Sequence, residues 1–135
     1  MSYRLICENC GQEHDTTRYR VYCESCGGLF DAQYSGENTT DLGRRSGGRG
    51  IAKYLATLPI TDPANLVSMG EGDTPVVPLP RVAQLLGLSH VDGKLEYVNP
   101  TGSFKDRGNA VQVSVLKELG VTEVEHITGG NQGHS

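Results

Sequence analysis

The clearest apolar periodicity in the chain runs from Phe104 to Leu119. Phe104, Gly108, Val111, Val115 and Leu119 recur at helical spacing on one face, and Gly120 stands where a helix would end. The pattern predicts a helix over 104–119 that buries this face. Shorter elements flank it. Ile51 to Leu58 reads as a short helix stopped by Pro59, and Arg81 to Leu86 as another between Pro80 and Gly87. Lys94 to Val98 alternates weakly and reads as a strand. Val121 to Ile127 reads as a second strand, running into Thr128-Gly129-Gly130-Asn131-Gln132-Gly133. Strand, helix, strand and glycine-rich turn in that order predict an α/β fold with a parallel sheet.

The periodicity divides the chain in three. Residues 1–34 hold all four cysteines and read as a separate small unit. Residues 35–50 are polar, glycine-rich and without apolar spacing, which reads as a linker. Residues 51–135 carry the α/β pattern. With 16 acidic against 12 basic residues, the chain argues against a nucleic-acid or anionic-membrane surface. No apolar run reaches the roughly 18 residues of a membrane span, and the start, Met1 to Cys7, lacks the apolar core of a signal peptide. The expected compartment is the cytoplasm.

In a reducing compartment, four cysteines point to metal rather than to disulfides. Cys7-x2-Cys10 and Cys23-x2-Cys26 each precede glycine, at Gly11 and at Gly27-Gly28. Two such knuckles can deliver four thiolates to one tetrahedral Zn²⁺. The set predicts a zinc ribbon of β-hairpins over 1–34, with a closed coordination shell and so a structural role. An iron site of rubredoxin type uses similar spacing and stays open on the residues alone. His14 is a possible substitute ligand, but four cysteines already close the site, so it reads as a solvated loop residue.

The segment Asn99-Pro100-Thr101-Gly102-Ser103-Phe104-Lys105-Asp106-Arg107-Gly108 carries the candidate chemistry. Ser103 and Asp106 form a capping-box pattern ahead of the predicted helix. Lys105 is the odd member: a cation in the first turn sits at the unfavourable end of the helix dipole. That placement favours a free, nucleophilic amine and marks a candidate Schiff-base former. Three neighbours strengthen the reading. They are Met69-Gly70-Glu71-Gly72-Asp73-Thr74-Pro75, Lys94-Leu95-Glu96-Tyr97, and Gly129-Gly130-Asn131-Gln132-Gly133.

In this order and spacing, the segments from about Ser68 to Ser135 resemble the threonine synthase family, pyridoxal-phosphate enzymes of the tryptophan-synthase-β-like fold. The cysteine segment is similar to the zinc-bearing amino-terminal extension of some members. The resemblance implies a partial fold-type II subdomain with a parallel sheet, preceded by the ribbon. It implies that Lys105 holds pyridoxal phosphate and then moves protons at the substrate's Cα and Cβ. Asn131 would hydrogen-bond the cofactor's phenolic oxygen. Thr128, Gly129, Gly130 and Gln132 would bind the substrate carboxylate, and a glycine-rich turn opening a helix suits an anion. Asp106 and Arg107 would support the lysine helix, and Glu71, Asp73 and Thr74 would be structural.

The implied reaction is a carbon–oxygen lyase step, converting O-phosphohomoserine and water to threonine and phosphate. Relatives usually carry a hydroxyl residue where this chain has Gly129 and a small one where it has Gln132. A cysteate synthase or a threonine dehydratase on the same scaffold is therefore an alternative, as is a non-catalytic zinc-ribbon interaction module. Family enzymes are several hundred residues long and include homodimers. About 85 residues of α/β pattern are marginal for burying a core alone. The chain therefore reads as the amino-terminal part of a larger enzyme, inactive by itself, with the α/β domain of 51–135 incomplete.

Overall fold

A computed structural model describes residues 2–35 and 48–135. Most of the linker expected over 35–50 lies outside the described residues. Three strands make up the first unit: β1 (Ser2–Cys7), β2 (Glu13–His14) and β3 (Phe30–Ser35). They pair antiparallel in the order β2-β1-β3. Leu5 faces His14 in one ladder, and Cys7 faces Phe30 in the other. The sheet therefore delivers Cys7, His14 and Phe30 to the same end.

Two turns of one design close that end. Gly11 N–H donates to Cys7 O at 2.9 Å, and Gly27 N–H to Cys23 O at 2.8 Å. Cys7 N–H then donates to Gln12 O, and Cys23 N–H to Gly28 O. Gly11 and Gly27 take φ of +71° and +70°, the left-handed conformation that only glycine adopts without strain. The glycine following each CxxC pair thus has a geometric cause.

Residues 48–135 begin with a 3-10 helix, Gly50–Thr57, where an ordinary short helix is expected over 51–58. Gly50 is an anchor rather than the end of a linker. Its φ is +56°, and a Cβ there would meet Glu71 O at 2.2 Å. Ile51 N–H donates to that same oxygen at 2.8 Å. A second 3-10 turn follows at Pro63–Asn65, and then β4 (Val76–Pro78), which pairs antiparallel with β5 (Asp92–Lys94). Helix α1 (Pro80–Leu86) joins them, with proline in its first turn and left-handed Gly87 at its end. Helix α2 (Lys105–Glu118) and a short α3 (Asn131–His134) complete the chain.

Three expectations are corrected. The strand expected over Lys94 to Val98 reduces to Lys94, and Glu96–Val98 is a 3-10 turn. There, Val98 N–H turns back to Leu95 O and Asn99 N–H to Glu96 O, which removes them from any ladder. Val121 to Ile127 forms no strand among the described residues, and Ile127 is 99% exposed. Both described sheets are antiparallel, so this segment has no parallel neighbour to pair with. The third correction concerns the buried face of α2. Asp106, Ala110, Ser114 and Leu116 are buried, while Phe104 and Gly108 are exposed and Val111, Val115 and Leu119 half-buried.

The polar stripe wins because a neighbouring segment is hydrogen-bonded onto it. Val67 N–H donates to Ser114 Oγ at 2.8 Å, and Ser114 Oγ–H to Ala110 O at 2.6 Å. Glu118 accepts from the backbone N–H groups of Thr61 and Asp62 and from Asn65 Nδ2, while Lys117 Nζ donates to Ala64 O. Small side chains at 110 and 114 let the 61–67 backbone approach closely, and the N–H groups of Thr61, Asp62 and Val67 find side-chain acceptors on the helix. The apolar core of this unit is small: Ile51, Ile60, Ala83, Ala110 and Leu116.

Candidate functional site

Lys105 opens α2, and Ser103 Oγ accepts its backbone N–H at 3.1 Å. The reciprocal half of the expected capping box is displaced. Asp106, 1% exposed, instead accepts from Thr101 N–H at 2.9 Å and from the hydroxyls of Thr101 and Ser135. Burial, the largest influence, pushes the Asp106 carboxyl up, but the bonds from Ser135 and Thr101 hold it below its ordinary value. The buried carboxylate near the helix N-terminus fastens the Asn99–Pro100 turn onto the helix and so fixes where Lys105 begins.

A second fastening runs through Arg107. Its Nε and Nη2 donate to both carboxylate oxygens of Glu96, at 2.8 and 2.9 Å, and Nη2 also to Thr74 Oγ1 at 3.0 Å. Asn99 Nδ2 donates to Glu96 Oε2, and Asn99 Oδ1 accepts from Gly72 N–H at 3.0 Å. The Arg107 guanidinium draws the Glu96 carboxyl down to about 2. The network ties the first turn of α2 to the Gly72–Thr74 loop and to the 3-10 turn at 96–98. Arg107 therefore pairs with Glu96, which is eleven residues earlier and gives no local sequence signal.

The Nζ of Lys105 lies 5.1 Å from the centroid of the Phe104 ring. Lys105 also lines an open cavity of about 480 Å³ with His126, Ile127, Thr128, Gly129, Gly130, Asn131 and Gln132. The lysine and the glycine-rich loop, separated by more than twenty residues, meet at one surface. Asn109 holds them together: Gln132 Nε2 donates to Asn109 Oδ1, and Asn109 Nδ2 reaches Gln132 O at 3.5 Å. Sequence reasoning missed Asn109, and only its place one helical turn beyond Lys105 could have signalled it. Thr128 Oγ1 accepts from Gly130 N–H at 3.1 Å and Gly133 N–H at 2.9 Å, so it braces the turn. A Cβ at Gly129 would meet nothing within 4 Å, leaving that backbone open to a ligand.

In the first unit, the sulfurs of Cys7, Cys10, Cys23 and Cys26 all lie within 4.8 Å of one another. Cys7 and Cys26 are 3.4 Å apart, and Cys10 and Cys23 3.7 Å. Four thiolates at about 2.3 Å from one tetrahedral ion would stand ~3.8 Å apart, so the cluster fits such an ion. The thiols are not equivalent. The backbone N–H of Cys10 lowers Cys7. Cys23 falls to about 6: burial, the largest influence, opposes this, and N–H groups of Ser25 and Cys26 with His14 and Cys10 overcome it. The N–H of Gly28 pulls Cys26 down, but the Cys7 and Cys10 sulfurs drive it up to about 12. Cys10 is also raised. Negative charge on some sulfurs hinders ionisation of the others, which is the imbalance a dication removes.

Residues 67–135, just over half of the chain, match the pyridoxal-phosphate dependent enzyme family. The chain belongs to this family. It is 38% identical over 133 residues to a threonine synthase of Methanocaldococcus jannaschii, covering 96% of this chain and 33% of the relative. A threonine synthase of Methanosarcina acetivorans is 34% identical over 131 residues, with 96% and 32% covered. One from Synechocystis sp. is 40% identical over 82 residues, with 60% and 22% covered. The chain thus spans about a third or less of the length of these curated relatives. Alignments covering 96% of the chain take in the cysteine segment as well as the family region. No solved structure matches.

The family region contains the Glu71–Thr74 loop, the Glu96–Arg107 network, Lys105 and the 128–132 loop. The cysteine cluster lies outside it. No helix among the described residues is long and apolar enough to cross a membrane.

Proposed function

We propose that this chain is the amino-terminal part of a threonine synthase, in which Lys105 holds pyridoxal phosphate. The whole enzyme would convert O-phosphohomoserine and water to threonine and phosphate. The observation that supports this reading most is the shared cavity of Lys105 and residues 126–132. The residues fit the group. Lys105 and Asn131 line one cavity with Gly129 and Gly130, where an added Cβ would meet nothing within 4 Å. When bound, the cofactor supplies an electron sink for charge developing at the substrate's α-carbon.

The chain's own residues have separate tasks. Lys105 Nζ takes and returns protons at Cα and Cβ, and its position at the start of α2 is fixed by Asp106 and Arg107. Asn131 binds the cofactor's phenolic oxygen. Thr128, Gly129, Gly130 and Gln132 form the wall that receives the substrate carboxylate. Asn109 keeps that wall against α2. In the whole enzyme, residues 121–127 would pair as a strand of a parallel sheet, which would cover Ile127. A homodimer, in the cytoplasm, is the expected assembly.

Cys7, Cys10, Cys23 and Cys26 would hold one structural Zn²⁺ per chain. Metal analysis of the purified protein checks this, and iron in its place overturns the zinc assignment. For the lysine site, borohydride reduction with pyridoxal phosphate should label Lys105 selectively. Lys53 is paired with Asp73, Lys94 with Thr74 O and Lys117 with Ala64 O. Equal labelling of all four lysines would show that no site is formed in this chain. In the whole enzyme, Lys105→Ala should abolish turnover of O-phosphohomoserine, and retained turnover would overturn the assignment.

A further inference from the structure

His14, expected as a solvated loop residue, is half-buried beside the cysteine cluster. Its Nε2 lies 3.3 Å from Cys23 Sγ. The ring meets Phe30 edge to face, with centroids 4.7 Å apart and planes at 62°. Both positions are set by the sheet: His14 pairs with Leu5 on β2, and Phe30 pairs with Cys7 on β3. The imidazole is therefore held from two sides while it points at one sulfur.

We propose that His14 is a positioning residue of the metal centre, donating its Nε2–H to the Cys23 thiolate. The inference rests on the reading that the four cysteines bind metal. Three observations separate this role from a ligand's and from a bystander's. The four sulfurs already form the closed set within 4.8 Å of one another, and His14 is not a member of that set. Cys23 is 2% exposed, so solvent supplies little hydrogen bonding to its sulfur. The ring meets Phe30 edge to face while its Nε2 lies 3.3 Å from the sulfur, so it is packed on one side and polar on the other.

A donor at this distance withdraws charge from the thiolate. It reduces repulsion among four crowded sulfurs and keeps Cys23 from turning away before the ion is bound. Outer-shell partners of this kind change metal affinity by roughly 10–100-fold. The neutral imidazole carries the donor in its Nε2–H tautomer, so no charge on His14 is required.

The test uses the full chain loaded with Co²⁺, followed by competition with Zn²⁺. The wild-type spectrum should be that of four sulfurs around a tetrahedral ion. His14→Phe should keep that coordination, move the sulfur-to-metal charge-transfer band to lower energy, and weaken Zn²⁺ binding about 10–100-fold. His14→Gln, which retains an N–H donor, should recover part of both changes. An unchanged band and affinity in His14→Phe would overturn the role of His14 alone. A wild-type spectrum of three sulfurs and one nitrogen would make His14 a ligand and also overturn it. Failure of the wild-type chain to bind metal would overturn the four-cysteine reading together with this one. A measurement without any variant guards against misfolding: the ¹¹³Cd-loaded wild-type chain should show scalar coupling from cadmium to His14 Hε2. Its absence would overturn the hydrogen bond.

Discussion

In residues 2–35, expected as a zinc ribbon, three antiparallel strands accompany a cluster of four sulfurs. Among its described residues only Cys7, Cys23 and Gly28 are buried. In residues 48–135, five apolar side chains are buried beside six polar or charged ones: Glu71, Thr74, Asn99, Ser103, Asp106 and Ser114. The first unit has almost no apolar core and one candidate inorganic centre. The second distributes its cohesion over many hydrogen bonds around the first turn of α2. A unit of the first kind should fail all at once when its centre is lost. One of the second kind should lose stability in steps while keeping its shape.

The largest effect expected is therefore on the ribbon. Removing the proposed metal with a chelator, or replacing Cys23 with serine, should abolish protection of β1 and β3 in hydrogen exchange. Apparent binding free energies of structural zinc, on the order of 10–16 kcal/mol, exceed what so small a sheet gains by burial. Helix α2 should remain protected. If α2 loses protection as well, the two units are one cooperative structure, and the comparison fails.

A smaller effect should follow from cutting the network. Glu96→Gln leaves Arg107 without its carboxylate partner. Both side chains are about 70% buried. The expected cost lies between that of a surface pair and a fully buried one, about 2 kcal/mol in denaturant unfolding. The pH dependence has a definite sign. The Glu96 carboxyl is drawn from 4.5 to about 2 in the folded chain. Its contribution is fully present above about 4.5 and is lost as pH falls toward about 2. Asp106 and Glu118 are also lowered, so the variant should flatten the acid limb rather than abolish it. An acid limb as steep as the wild type's would remove Glu96 from the account. Selective labelling of Lys105 should fall with the same substitution, because the network fixes where its helix begins.

Local signals carried the turns and the sulfur cluster of residues 2–35, and they carried less of the second unit. Each CxxC pair and its glycine are contiguous, so spacing alone indicated both knuckles and the sulfur cluster. The long helix and the helix over 80–86 were legible for the same reason: proline, glycine and periodicity act over a few residues. The buried face of α2 was not legible. Periodicity assumes that apolar side chains choose the face, whereas here the 61–67 backbone is hydrogen-bonded onto Ser114 and Glu118. The strand expected over 121–127 has the right composition, but strands are made by neighbours, and the described sheets offer none. Glu96 with Arg107, Asn109 with Gln132, and His14 with Cys23 are partners nine to twenty-three residues apart, which a linear reading does not join.

Gly50 tests whether the second unit also has points that do not yield. Its left-handed φ and a Cβ position 2.2 Å from Glu71 O leave no room for a side chain. Gly50→Ala should destabilise by about 2 kcal/mol, from backbone strain and overpacking together. A cost near zero would mean that the crossing of Gly50 and Glu71 relaxes freely.

Gly108 is the counterexample within the same unit. It lies in the interior of α2, one turn beyond Phe104, and a Cβ there would meet nothing within 4 Å. Glycine in a helix interior costs roughly 0.5–1 kcal/mol relative to alanine, because the unfolded chain has more freedom to lose. Gly108→Ala should therefore stabilise residues 48–135 by about that amount in thermal or denaturant unfolding, with no change in the ribbon. If packing were the reason for glycine at 108, the same substitution would destabilise the chain. A gain in stability would leave its cause in what approaches this face of α2 in the whole protein. Repeating the substitution there separates the two: a gain that turns into a loss of cofactor binding or turnover would mark Gly108 as part of the surface beside Lys105.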